Sequence, residues 1–195
     1  EDALKKLSKY YSSNIIAAES LRHNYLYDMI NNKTEMPKGS KKIKSIIMLT
    51  EYSKVSTNNA LRIVDNAIDG DIKVDIKPHP NCLPNLDNFK NFSNVITDKK
   101  LFEIYRNYDL AIVTCQTSMS LECHLLQIPF LVIKNAGLIN LNPLSNYKNI
   151  IYCRFSNEIK EYINSSYDEE LKTNISENFF YINPKLTNWK RILRI

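Results

Sequence analysis

In the run Lys77-Pro78-His79-Pro80, two prolines fix the backbone on either side of an imidazole. A ring held in this way suits contact with a phosphate, as a donor or as a proton source to a departing phosphate, and Lys77 adds positive charge. A second group of candidates lies in Thr114-Cys115-Gln116-Thr117-Ser118-Met119-Ser120, directly after an apolar run. A helix starting at Thr117 or Ser118 offers backbone N–H groups and a positive dipole end to an anion, and the hydroxyls of Thr117, Ser118 and Ser120 add donors. The same hydroxyls also suit ordinary helix capping. Glu122, four positions after Ser118, is placed to accept hydrogen bonds from a ribose or to stabilise the helix start. Glu51 and Ser53, in the polar run that follows Leu49, can reach towards a sugar or a pyrophosphate. Lys134 falls at the far end of such a cleft, whereas His124 reads as a packing or surface residue and His23 has no evident role.

These residues need a scaffold that brings distant turns together. Ser45–Leu49 (SIIML), Leu110–Val113 (LAIV) and Phe130–Ile133 (FLVI) are short continuous apolar runs, the pattern of strands covered on both faces. Ile72–Ile76 alternates as a strand does, and Asn94–Thr97 and Ile150–Tyr152 complete a set of six. Between them lie helical patterns: one capped by Ser56 or Thr57 and stopped by Gly70, one from Asp98 to about Tyr108, and one from about Thr117 to Gln127. Such alternation predicts an α/β fold, a Rossmann-like doubly wound and mostly parallel six-stranded sheet with carboxyl-terminal helices. The expected strand order is 3-2-1-4-5-6, which sets the turns after strands one, two and four side by side. Residues 1–43 read as a separate segment, with Asn14–Ala18 as a strand, Leu21–Ile30 as a helix and a linker after it. Residues 44–195 form the main domain, ending in two or three helices from Ser156 onward.

Composition narrows the class. The chain has 195 residues, 44% hydrophobic and 24% charged, which suits an ordinary folded domain. No apolar run approaches the roughly 20 residues of a membrane-spanning helix, and the charged opening EDALKKLSKYY does not read as a secretory signal. Cys82, Cys115, Cys123 and Cys153 lack metal-ligand spacing, so no metal is expected, and scattered cysteines suit a reduced cytoplasmic protein. The net charge of +5 comes mostly from lysines and reads as a solvated surface. It also permits peripheral association with the inner face of a membrane. Aromatic residues do not interleave with the basic ones as in nucleic-acid binders, so no nucleic-acid partner is expected. Neither a GxGxxG nor a GxxxxGK[ST] run is present, and with three glycines in the chain a glycine-lined pyrophosphate turn is hard to build.

The order of Lys77-Pro78-His79-Pro80 and the later TSMSLECHLLQIPFLVI resembles the carboxyl-terminal, donor-binding domain of GT-B-fold glycosyltransferases that build bacterial surface carbohydrates, the sialyltransferase-like and Kdo-transferase-like enzymes. The tail FFYINPKLTNWKRIL is similar to the endings of such transferases. The resemblance covers residues 44 to 195. It implies that His79-Pro80 is the HP motif and that Thr117, Ser118 and Ser120 form the hydroxyl motif, both holding the phosphate of a nucleotide-sugar donor, with a CMP-sugar favoured. It further implies a leaving-group role for His79, no cofactor, and a missing amino-terminal acceptor-binding domain that would supply the catalytic base, so that this chain alone binds donor without transferring sugar. Two other readings remain open: a nucleotide-sugar 2-epimerase-like enzyme, and a non-catalytic Rossmann-like scaffold.

Overall fold

Strands form where the sequence places its apolar runs, and they pair in one six-stranded, all-parallel sheet of order β3-β2-β1-β4-β5-β6. The strands are β1 (Ser45–Leu49), β2 (Lys73–Lys77), β3 (Phe92–Val95), β4 (Leu110–Thr114), β5 (Phe130–Ile133) and β6 (Ile151–Cys153). The computed structural model describes residues 9–10, 15–28, 42–147, 149–165 and 181–194. The helices are α1 (Lys54–Asp65), α2 (Leu101–Ile104), α3 (Met119–Leu125), α4 (Ser156–Asn164) and α5 (Thr187–Leu193). The chain is therefore an α/β, Rossmann-like domain with the strand order expected of it. Two compact units make it up, one drawn from Glu35–Thr173, which holds the sheet, and one drawn from Glu1–Thr34 with Asn174–Ile195.

In the sheet unit, alternate strand residues point to the same face. Ile46, Met48, Val74, Ile76, Leu110, Ile112, Leu131 and Ile133 form one core with Ala60, Leu61 and Val64 of α1 and Ile159 of α4. The amino ends of β1 and β4 are clamped by Asp109, whose Oδ2 accepts from the N–H groups of Lys44 and Ser45 and from the Ser45 hydroxyl. The carboxyl ends of the strands are left to carry the polar turns.

Several boundaries differ from the sequence pattern. Helix α1 begins earlier than Ser56, because Ser53 Oγ accepts from the Ser56 N–H and takes the cap position. Ser56 and Thr57 are instead buried in the first turn. Helix α3 ends at Leu125, where the Ile128 and Gln127 N–H groups bond back to Cys123 and His124. This Schellman closure puts Gln127 in the left-handed region at φ 57°. The expected helix from Asp98 is a single turn, α2, preceded by Lys100 and followed by a 3₁₀ turn at Tyr105–Asn107.

The other unit rests on a buried carboxylate. Glu19 accepts from the N–H groups of Asn188 (2.8 Å) and Trp189 (3.1 Å), while the Trp189 indole N–H donates to the Glu19 carbonyl (2.8 Å). Burial works to raise the Glu19 pKa, but these N–H groups outweigh it and hold it below the ordinary value. Within the expected Asn14–Ala18 strand, Ile15–Ala18 adopt no regular structure, and they pair with no strand among the described residues. The helix expected over Leu21–Ile30 is a 3₁₀ helix at Leu21–Leu26. Asn14, Met29, Ile30 and most of the linker lie outside the described residues, as does 166–180 in the tail.

Candidate functional site

The sheet reverses its order between β1 and β4, the position at which wound α/β sheets open a crevice at their carboxyl edge. Hydrogen bonds join the turns that leave the strands there. The Thr50 N–H donates to the Lys77 carbonyl (3.3 Å), and Thr50 Oγ1 accepts from the His79 N–H (3.4 Å). Glu51 Oε2 accepts from the Gln116 N–H (3.1 Å), tying the exit of β1 to that of β4. Thr57 Oγ1 donates to the Glu51 carbonyl (3.1 Å). A fourth exit joins through Asn135, just past β5, whose amide donates to the Ser56 carbonyl (3.1 Å) and to the Ser56 hydroxyl.

His79 sits half-buried between buried Pro78 and exposed Pro80. Its Nδ1 accepts from the Asn81 N–H (3.2 Å). Since a backbone N–H can only donate, Nδ1 carries no proton, and the neutral ring keeps its proton on Nε2. The ring therefore offers a donor at Nε2. Tyr52 meets it edge-on, with ring centroids 6.3 Å apart. Lys77 turns the other way: its ammonium donates to the Lys99 carbonyl, on the β3 side. Burial lowers the Lys77 pKa, with the fields of Glu122, Glu103 and Asp98 acting against it.

The hydroxyl cluster divides. Thr117 Oγ1 accepts from the Met119 N–H (3.3 Å), a local cap for α3. Ser118 stands at the cap position itself, where its hydroxyl makes no cap bond. Ser120 is fully buried, its Oγ donating to Asn142 Oδ1 (2.9 Å), which also accepts from the Leu144 N–H. Glu122 is buried in α3. Ser53 is engaged as the α1 cap. Of the expected residues, the structure thus ties Glu51 to Gln116, just before Thr117 and Ser118, and His79 to Thr50, next to Glu51, and it commits Ser53, Ser120 and the Lys77 ammonium to contacts of their own. Asn135 and Asn142 were not singled out from the sequence. Both are asparagines among several in one loop, and only their burial, at 5% and 2% exposure, sets them apart.

Three polar atoms at this edge are buried without a hydrogen-bond partner among the described residues: Glu51 Oε1, Thr114 Oγ1 and Asn142 Nδ2. A buried group left unpaired costs about 1–3 kcal/mol, and more when it is charged. Glu51 is 1% exposed, and its charge is felt nearby: the Cys115 thiol is pushed up first by burial and then by the field of Glu51. A cavity of about 320 Å³ lies beside these turns at the exits of β5 and β6, lined by residues from Lys134 to Leu138 and by Arg154 and Phe155. A second, of about 240 Å³, runs along α1 between Arg62 and Asn88. Neither is lined by His79 or by residues 117–120.

A further polar cluster sits inside the sheet. Asp75, in the middle of β2 and 1% exposed, accepts from Tyr108 Oη (2.8 Å) and Asn94 Nδ2 (2.8 Å) and pairs with Lys73 (2.9 Å). Burial works to raise its pKa, but Lys73, Asn94 and Tyr108 together hold it below the ordinary value, while burial and Asp75 push the Tyr108 phenol upward. The four cysteines are free and buried, and burial pushes the Cys153 thiol up to about 11. Among the described residues no group of His, Cys, Asp and Glu is placed to hold a metal, and no helix is long and apolar enough to cross a membrane. Compared with known proteins, the chain matches no family, no curated protein and no solved structure.

Proposed function

We propose that the sheet unit binds a nucleotide-sugar donor, as the donor-binding half of a glycosyltransferase in bacterial surface polysaccharide or glycoconjugate synthesis, with a CMP-sugar as the expected donor. The observation that supports this reading most is the joining of the polar turns at the sheet's reversal, through His79 N–H to Thr50 Oγ1 and Gln116 N–H to Glu51 Oε2. In this account His79 donates from Nε2 to a phosphate oxygen and stabilises the charge that develops on the departing nucleotide. The Ser118 hydroxyl supplies a second donor. Glu51, a buried carboxylate, repels phosphate and so takes the neutral hydroxyls of the ribose or sugar, with its unpaired Oε1 as acceptor. The acceptor hydroxyl and its base come from a second, amino-terminal domain.

The test is the affinity of this chain for CMP and CMP-sugars, with and without His79→Ala. Loss of a hydrogen bond to a charged group is worth about 1.5–3 kcal/mol, a drop in affinity of roughly tenfold or more. Equal affinity in the two proteins removes His79 from the site. A scaffold reading has its own support, since Thr117, Ser120 and Ser53 are all engaged in local contacts. On that reading no nucleotide binds at millimolar concentration.

A further inference from the structure

The exposed apolar side chains of the sheet unit are unevenly placed. In a parallel sheet all strands end on one edge, and the large apolar residues exposed in this unit follow or end a strand there. Tyr52 and Val55 follow β1, Leu83 follows β2, Val95 ends β3, Leu138, Ile139 and Leu141 follow β5, and Phe155 follows β6. Leu141 is fixed at this edge by its N–H bond to the Cys115 carbonyl, just past β4. Exposure reaches 73% at Val55, 75% at Ile139 and 64% at Phe155. The opposite edge has apolar residues too, but Ile43, Ile68, Ile128 and Ile150 are buried. Large apolar side chains exposed along one edge in this way suit an interaction face.

Charge narrows what the face meets. Lys54, Lys99, Lys134 and Arg154 lie in the same strand-exit segments. Of the carboxylates there, Glu51 is buried on the Gln116 N–H, while Glu158, whose Oε2 accepts from the N–H groups of Arg154 and Phe155, keeps its charge at the surface. Asp98 and Glu103 are exposed past the β3 end. The cavity of about 320 Å³ between the exits of β5 and β6 has Lys134 and Arg154 in its wall, with Leu138 and Phe155 beside them. Cations interleaved with projecting apolar side chains match a surface that is anionic outside and apolar beneath. A second copy of the same basic face is repelled, and a nucleic acid has no use for Ile139 or Val55.

We infer that the carboxyl edge of the sheet docks on an anionic phospholipid bilayer at the exits of β5 and β6, with Ile139 and Phe155 entering the headgroup layer and Lys134 and Arg154 against the phosphates, which leaves the exits of β1, β2 and β4 free. This inference does not rest on nucleotide binding, and its test uses none. The chain is floated with vesicles of equal parts phosphatidylglycerol and phosphatidylcholine, and with vesicles of phosphatidylcholine alone. Binding is expected to the first and not to the second. Lys134→Ala with Arg154→Ala lowers partitioning by roughly 30-fold, from about 1 kcal/mol per basic residue. Ile139→Ser with Phe155→Ser lowers it by about tenfold, from partial burial of two apolar side chains. Thermal melts confirm that these variants stay folded, as their exposure predicts. Amide exchange on the vesicles should slow at 136–141 and 154–155. Absence of binding, indifference to the apolar pair, protection elsewhere, or tighter binding to a single-stranded oligonucleotide than to the vesicles each overturns the inference.

Discussion

Replacing Glu51 by Gln tests the most unusual feature of the edge, a carboxylate that the fold buries without fully satisfying. One oxygen is served by the Gln116 N–H at 3.1 Å, and the amide oxygen of Gln keeps that bond. The other, Oε1, has no partner among the described residues, and the side chain is 1% exposed. Substitution removes an uncompensated charge and leaves a neutral amide, whose desolvation is smaller. The expected gain is about 1–3 kcal/mol, and for a chain of this size each kcal/mol moves the melting temperature by about 2–4 °C. The Tm of Glu51→Gln should therefore rise by roughly 2–12 °C in calorimetry or in melts followed by circular dichroism. Affinity for a nucleotide-sugar should fall in the same variant, because a residue held against stability is held for its ligand. A Tm that stays level or drops would refute the reasoning. Glu51 would then be an integrated structural carboxylate.

The buried Asp75 cluster predicts a cost at neutral pH and a change in acid sensitivity. Tyr108→Phe removes a 2.8 Å hydrogen bond to a charged group and should destabilise by about 1.5–3 kcal/mol in urea unfolding. Because Asp75 has its folded pKa below the unfolded one, the stability it contributes is present above the unfolded value and is lost as pH falls through the folded value. Asp75→Asn should lack this loss, so that the gap between wild type and variant narrows from pH 7 to pH 3; a constant gap contradicts the assignment. At the end of α3, Gln127→Gly relieves a left-handed conformation that disfavours a Cβ, and stability should rise by about 0.5–1 kcal/mol. A loss in the same unfolding assay would mean that the Gln127 side chain holds the turn.

Strand positions were legible where apolar runs are continuous. Ser45–Leu49 and Phe130–Ile133 form the strands their sequences suggest, because a short run apolar on both faces is buried only inside a sheet covered on both sides. At the sheet margin the pattern misleads. Asn94–Thr97 looks like the third strand, yet β3 is Phe92–Val95, anchored by Phe92 against Phe89 while its later residues are exposed. Alternation in β2 does not single out Asp75, and only the fold brings Tyr108, far along the chain, against it. The strand order, and with it the adjacency of the turns after β1, β2 and β4, followed from the alternation of elements. What composition hides is which polar groups satisfy one another. Ser120 and Ser118 look alike in sequence, and only the fold gives the first to Asn142. Asn135 could not be read at all, since its role depends on Ser56 across the sheet's edge.

The proposed nucleotide site lies at the reversal of the sheet, where the turns after β1, β2 and β4 are joined. Calorimetric titration of the chain with CMP, UDP, GDP and their sugar conjugates, alongside His79→Ala, tests it most directly. CMP or a CMP-sugar should bind, and at a hundredfold its Kd should add about 2.7 kcal/mol of stability, with the effect sharply reduced in the variant. Absence of binding by any of these ligands at millimolar concentration, or binding indifferent to the loss of the imidazole, would contradict it.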